Sequence, residues 1–180
     1  MPKNKTVSGY HLTLFILSFN LGLLLPAAVL AVNINASSLL GHVDGSGNPI
    51  YTAAGPNNGA NSSGFNSPFD AALDTAGHRL FVADQNNNRI LVYSLDSNNN
   101  ISGKTAANVL GQLDFNSFIA TTTSSGVSGP KGVAFDSTNN RLFVSDTANN
   151  RVLVYNTASI SNGQAASHVL GQADFISGSA

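Results

Sequence analysis

The chain has 180 residues, 42% of them apolar and 9% charged; it contains no cysteine, and all nine acids are aspartate. This is enough apolar material for one core, no disulfide framework can brace it, and with a net charge of −1 and only eight Lys and Arg the sequence shows no basic patch, which disfavours a phosphate-neutralising surface. Abundant asparagine suits turns and not helix interiors, so very little helix is expected.

At the N-terminus Lys3 and Lys5 precede the apolar run Leu12 to Leu25, and Pro26 and the small-residue stretch Ala27 to Ala31 follow. Residues 1–31 read as a secretory signal peptide, with Val29 and Ala31 before the cut and an exported chain starting near Val32. A retained membrane anchor is the alternative, but Ser18, Asn20, Gly22 and Pro26 interrupt the run and favour cleavage. The expected location is secreted, periplasmic or cell surface. Without the leader, six Lys and Arg face nine Asp, a net charge of −3.

Residues 32–63 are rich in Asn, Gly and Ser around one apolar signal, Ser38-Leu39-Leu40-Gly41-His42-Val43-Asp44. Its form returns at Val109-Leu110-Gly111-Gln112-Leu113-Asp114-Phe115 and at Val169-Leu170-Gly171-Gln172-Ala173-Asp174-Phe175. The first instance therefore reads as the outer strand of a repeat, followed by a loop. Residues 64–115 and 116–180 are two whole repeats. Their centres, RLFVADQNNNRILVY from Arg79 and RLFVSDTANNRVLVY from Arg141, are identical at 11 of 15 positions, and such self-similarity governs how every residue is read.

In the first repeat strands are expected at Ala71–Asp74, Leu80–Ala83, Arg89–Tyr93 and Asn108–Leu110. In the second they are expected at Gly132–Asp136, Leu142–Ser145, Arg151–Tyr155 and His168–Leu170. Gly77 and its counterpart Asn139 accept positive φ readily and are expected to be left-handed. Asp146 to Asn150 reads as a loop, and Asn156 to Ser167 as a polar connector. The unbroken runs Leu142-Phe143-Val144 and Val152-Leu153-Val154 indicate strands covered on both faces.

A four-stranded meander sandwiched between two like sheets is the situation of a β-propeller blade. Each buried Val, Leu or Phe is worth about 1.5–3 kcal/mol, so neighbouring blades are what make one stable. The expected fold is all-β: a partial propeller of two full four-stranded antiparallel blades plus one N-terminal outer strand.

Asp84, Asn88 and Arg89 recur as Asp146, Asn150 and Arg151 at the ends of the central hairpin. One reading is a ligand or metal site. The other is structural: the Asp caps loop backbone and the Arg pairs with an Asp or with carbonyls between blades. Recurrence in both repeats favours the structural reading, because a propeller usually needs one site.

The stretch Asp84 to Asn88 has the alternate oxygen ligands of a calcium loop. Against this, Ala148 replaces Asn86, Arg89 stands where a turn Gly belongs, and no Glu closes the coordination sphere; Asp96 to Asn100 has the same defect. No metal or cofactor is expected. His42, His78 and His168 each lack a neighbouring nucleophile setting, so no catalytic residue is expected either. Gly45-Ser46-Gly47 precedes neither a helix pattern nor a Lys and is no phosphate loop. Asn35-Ala36-Ser37, Asn61-Ser62-Ser63 and Asn100-Ile101-Ser102 are glycan acceptor patterns in a host with that machinery.

The run Pro130-Lys131-Gly132-Val133-Ala134-Phe135-Asp136, then RLFVSD, then NNRVLVY, resembles an NHL repeat. The first repeat is similar but carries Asp70 in place of Gly132. The trailing VLGQxDF resembles the longer repeats of exported bacterial NHL proteins, and the resemblance spans about Gly64 to Phe175. It implies a β-propeller, commonly six-bladed, used mostly as a rigid binding platform for proteins and sometimes for RNA or cell-surface ligands. Some relatives are lyases or lactonases with metal in the central channel, whose His and Glu ligands have no assignable counterparts here.

The resulting expectation is an exported, non-catalytic binding or scaffold module for a protein or cell-surface ligand, with recognition in the unlike connectors and nucleic acid disfavoured. The alternative is part of a lyase- or lactonase-like enzyme whose metal and catalytic residues lie mostly outside this chain. Two blades and one outer strand leave open edges and apolar faces. The chain therefore reads as a fragment of a longer product or as a self-assembling unit, closure within one chain being the common solution.

Overall fold

The computed structural model describes residues 39–44, 46, 48, 50–52 and 59–179. The expected leader, its cut before Val32, the acceptor pattern at Asn35 and the glycines of Gly45-Ser46-Gly47 lie outside the described residues.

Within them, eight strands form two four-stranded antiparallel sheets, each ordered as in sequence. The first holds β1 (Pro68–Asp74), β2 (Arg79–Asp84), β3 (Arg89–Ser94) and β4 (Asn108–Leu110); the second holds β5 (Pro130–Asp136), β6 (Arg141–Asp146), β7 (Arg151–Asn156) and β8 (His168–Leu170). This is the all-β, two-blade partial propeller expected. Pro68 and Pro130 open the edge strands β1 and β5, where a missing N–H removes no ladder bond. A register irregularity follows each proline, before Asp70 and before Gly132.

Leu39-Leu40-Gly41 forms no ladder strand. Gly41 makes one parallel bridge to Gly64, while Leu40 and Phe65 pack on Val82, Leu91, Tyr93 and Val109. An outer strand needs its own sheet to pair with, and no strands of such a sheet are among the described residues.

The left-handed residues in the first turn of each blade are one position later than expected: His78 has φ 53° and Asn140 φ 51°, whereas Gly77 and Asn139 do not have positive φ. Each is the residue directly before β2 or β6. Space explains Gly77 instead, because a Cβ there would collide with the Asp74 carboxylate and lie 2.8 Å from Arg79 Nε. Around Asn139 the geometry differs, and its Nδ2 donates to Asp136 Oδ2 at 2.7 Å.

The main core lies between the sheets. Phe81, Ala83, Ile90, Val92 and Leu110 of the first meet Val133, Leu142, Val144, Leu153 and Tyr155 of the second, with Val127 from the connector. Phe81 and Phe135 approach with ring centroids 5.6 Å apart. Burial explains the unbroken apolar runs only in part. β3 is buried from Arg89 to Tyr93, but β6 alternates exposed, buried, half-buried, buried, half-buried, buried. The residues of β6 alternate between two faces, and only one face of that blade is covered by the other.

Candidate functional site

Each central hairpin turns through one turn of 3-10 helix, Gln85–Asn87 or Thr147–Asn149, and leaves it at a left-handed asparagine, Asn88 (φ 51°) or Asn150 (φ 52°). Asparagine is among the few side-chain-bearing residues that take this conformation readily, which accounts for its presence in both repeats. The preceding aspartates do not cap these turns. Asp84 Oδ1 accepts the Asn66 N–H at 2.7 Å, and Asp146 Oδ1 accepts the Ser128 N–H at 2.6 Å. Each carboxylate thus ties the hairpin to the chain entering its own blade.

The second carboxylate oxygen is occupied too. Asp84 Oδ2 accepts from Arg89 Nε at 2.7 Å and from Asn87 Nδ2 at 2.9 Å; Asp146 Oδ2 accepts from Arg151 Nε and Asn149 Nδ2 at the same distances. Both ion pairs have side chains 0% exposed. The remaining guanidinium donors reach carbonyls: Arg89 those of Asn61, Gly64 and Phe115, and Arg151 those of Thr123, Gly126 and Phe175. Thr123 and Gly126 lie on the connector between the two blades, and the other carbonyls lie on segments that flank each arginine's own sheet. With both Asp oxygens and all three guanidinium nitrogens engaged, the repeated cluster offers no open coordination position.

Asn87 and Asn149 belong to this cluster and were not singled out from sequence. The signal was present, since both hairpins read Asp-x-x-Asn-Asn-Arg. Gln112 and Gln172 were missed as well. Gln112 Nε2 donates to the Asn88 and Ile119 carbonyls, and Gln172 Nε2 to those of Asn150 and Ser179. The whole VLGQxDF stretch is therefore a clamp: Gln holds the hairpin, the Phe carbonyl receives the Arg, and Asp turns the chain. The glycine of the clamp has positive φ (Gly111, +83°), and a Cβ on it would lie 2.6 Å from Val127 Cγ2.

Asp114 Oδ1 accepts from the Ser117 hydroxyl, the Ser117 N–H and the Asn116 N–H. The Ser117 hydroxyl bond, and then the two backbone bonds, hold its carboxyl below the ordinary value of 3.8, and Asp174 is held low in the same manner. A carboxylate depressed in the folded state stabilises the fold above the unfolded value and loses that contribution as pH falls through the folded one. The thermal midpoint is therefore expected to fall below pH 3.8, and less steeply in the Asp114→Asn, Asp174→Asn variant. Calorimetry across that range checks this, and equal slopes would contradict it.

Among the described residues, the polar contacts of His78 and His168 are to nearby groups in turns and at strand ends. His78 Nδ1 meets Asn99 Oδ1 at 2.9 Å within a turn. His168 Nδ1 lies 3.0 Å from Ser167 Oγ, but that hydroxyl donates to the Val154 carbonyl at 2.9 Å, so its proton is committed elsewhere. The Asp96 loop is closed on itself, with Oδ1 accepting the Asn98 and Asn100 N–H groups. Among the described residues no group of three or more His, Cys, Asp and Glu is placed to hold a metal ion.

What remains is the connector between blades. A pocket of about 300 Å³ is lined by Gly111, Gln112, Leu113, Ser117, Ile119, Thr121, Thr123 and Ser125. Leu113 (75%), Phe118 (56%) and Ile119 (69%) are exposed there, a mixed apolar and hydroxyl surface on a connector rigidified by the Gln112 and Arg89 contacts.

No curated protein matches the chain. The model of the NHL repeat family matches residues 128–155.

Proposed function

From a chain that carries an NHL repeat within two β-propeller blades, we propose that the protein is an exported, non-catalytic binding or scaffold module for a protein or cell-surface ligand. The observation that carries this reading is the division of labour between repeat and connector. The polar residues shared by the two blades are used up in holding each blade together, whereas Leu113, Phe118 and Ile119 are exposed on an ordered connector whose backbone bonds recur after β8 but whose side chains there are Ala173, Gly178 and Ser179. Apolar side chains at the rim of a rigid loop are the anchors that protein recognition uses. Export follows from the leader pattern of residues 1–31, and the net charge of −3 after its removal supports a partner other than nucleic acid.

The double variant Phe118→Ala, Ile119→Asp is expected to lose at least tenfold in affinity for the envelope or surface partner. Its thermal midpoint should stay within about 2 °C of the parent, because both side chains are largely exposed. Retained affinity would move recognition away from this connector. Fractionation with N-terminal sequencing tests export separately: a product beginning near Val32 outside the cytoplasm supports it, and an uncleaved cytoplasmic product refutes it.

A further inference from the structure

We propose that the pocket on the connector between the blades binds a neutral sugar unit of a carbohydrate chain; this rests on reading that connector as the recognition surface. The two repeats act as controls for one another. The Thr123 carbonyl accepts from Arg151 Nη2 at 2.8 Å, and its counterpart in the first repeat, the Asn61 carbonyl, accepts from Arg89 Nη2 at 3.0 Å. Likewise the Ser124 and Ser62 carbonyls each accept a backbone N–H at 2.7 Å, from Ala166 and Ala106. At this place both blades use main-chain groups. Gly59 and Asn61 stand where the second repeat has Thr121 and Thr123, so the threonine hydroxyls serve something other than the blade.

Those hydroxyls converge. A Cβ on Gly126 would collide with Thr121 Oγ1 and lie 3.0 Å from Thr123 Oγ1, so both oxygens meet over a residue with no side chain. The hydroxyl of Thr122, between them, is spent on Asn149 Oδ1 at 2.8 Å. Among the described residues no hydrogen bond commits the hydroxyls of Thr121, Thr123 or Ser125, all of which line the pocket. Gln112 lines it too and is 6% exposed. Both its Nε2 protons are committed, to the Asn88 and Ile119 carbonyls, which leaves Oε1 as an acceptor.

A hydroxyl both donates and accepts, and three of them beside an amide oxygen suit a ligand that carries several hydroxyls. Leu113 and Ile119 supply apolar walls, and the exposed Phe118 ring, next to Ile119, offers a face to ligand C–H groups. A sugar ring presents hydroxyls around apolar C–H faces, whereas a peptide side chain brings one polar end or none. The volume of about 300 Å³ lies at the lower end of small-molecule sites, roughly 300–1,000 Å³. No charged side chain lines the pocket, and Asp114, exposed beside Leu113, repels anions. Arg89 and Arg151 cannot answer an acidic sugar, because their guanidinium nitrogens are engaged. The ligand is therefore neutral.

Titration calorimetry of the full chain tests this with a panel of neutral hexose and N-acetylhexosamine oligomers and with a uronic-acid oligomer as the acidic control. A neutral oligomer is expected to bind, and the Thr121→Val, Thr123→Val variant to bind it about tenfold more weakly or worse, with a thermal midpoint within about 2 °C of the parent. Undiminished affinity in that variant, equal or tighter binding of the acidic oligomer, or no binding of any neutral oligomer would each overturn the proposal. In the last case Phe118→Ala, Ile119→Asp separates the two readings. If that variant still loses the envelope or surface partner, the connector recognises a protein; if it keeps the partner, the recognition reading fails as well. Should the valine variant not fold, saturation-transfer NMR on the unmodified chain decides: transfer from methyl groups to the sugar C–H protons is expected, and its absence overturns the proposal.

Discussion

Replacing Arg151 by alanine is expected to destabilise the protein by about 3–5 kcal/mol, because it leaves the Asp146 carboxylate buried without its cation. Three carbonyls, those of Thr123, Gly126 and Phe175, lose their donor in the same step. Domains are stable by about 5–15 kcal/mol, so the loss is a large share of the total and should lower the thermal midpoint by roughly 10 °C. Arg151→Lys is expected to rescue little, since an ammonium lacks the planar fork that reaches four acceptors in fixed directions. Affinity for the ligand, measured at a temperature where the variant remains folded, should be unchanged. Full stability with abolished ligand binding would mean that the cluster is a recognition site after all.

Leu110→Ala is expected to cost about 2–5 kcal/mol, the range for emptying a fully buried leucine site. The same substitution at Leu170, 51% exposed, should cost less than about 1 kcal/mol at low protein concentration. The difference measures what one blade gains from its neighbour, with the side chain and strand position held constant. Equal costs at both positions in dilute solution would contradict blade-on-blade packing as the source of stability. Urea titration of the two variants in dilute solution provides the comparison.

The sequence by itself determined the repeat, and with it most of the architecture. Identical strands at a fixed offset have to fold alike, so the all-β class and the eight strands were legible to within a few residues at each end. The polar hairpin residues were also legible as a set, because a residue present in both repeats answers to something both repeats need. Boundaries slipped where the governing fact was not local. β1 and β5 reach back to Pro68 and Pro130 because a bulge, invisible in a hydrophobic pattern, keeps them paired. His78 and Asn140 carry the left-handed φ in place of Gly77 and Asn139, since turn length sets which residue must reverse.

Only the tertiary structure decided what each polar residue does. Asp84 reaches Asn66, 18 positions earlier, and Arg89 reaches Phe115, 26 positions later; no spacing rule links residues so far apart. The assignment of Gln112 and Asn87 to the same cluster required that closure in space. The same is true of the uncovered second face: β4 and β8 read nearly alike in sequence, and only the packing of one blade on the other shows that Leu110 is dry while Leu170 meets water. Periodicity reports how a strand alternates, whereas burial depends on what lies across from it.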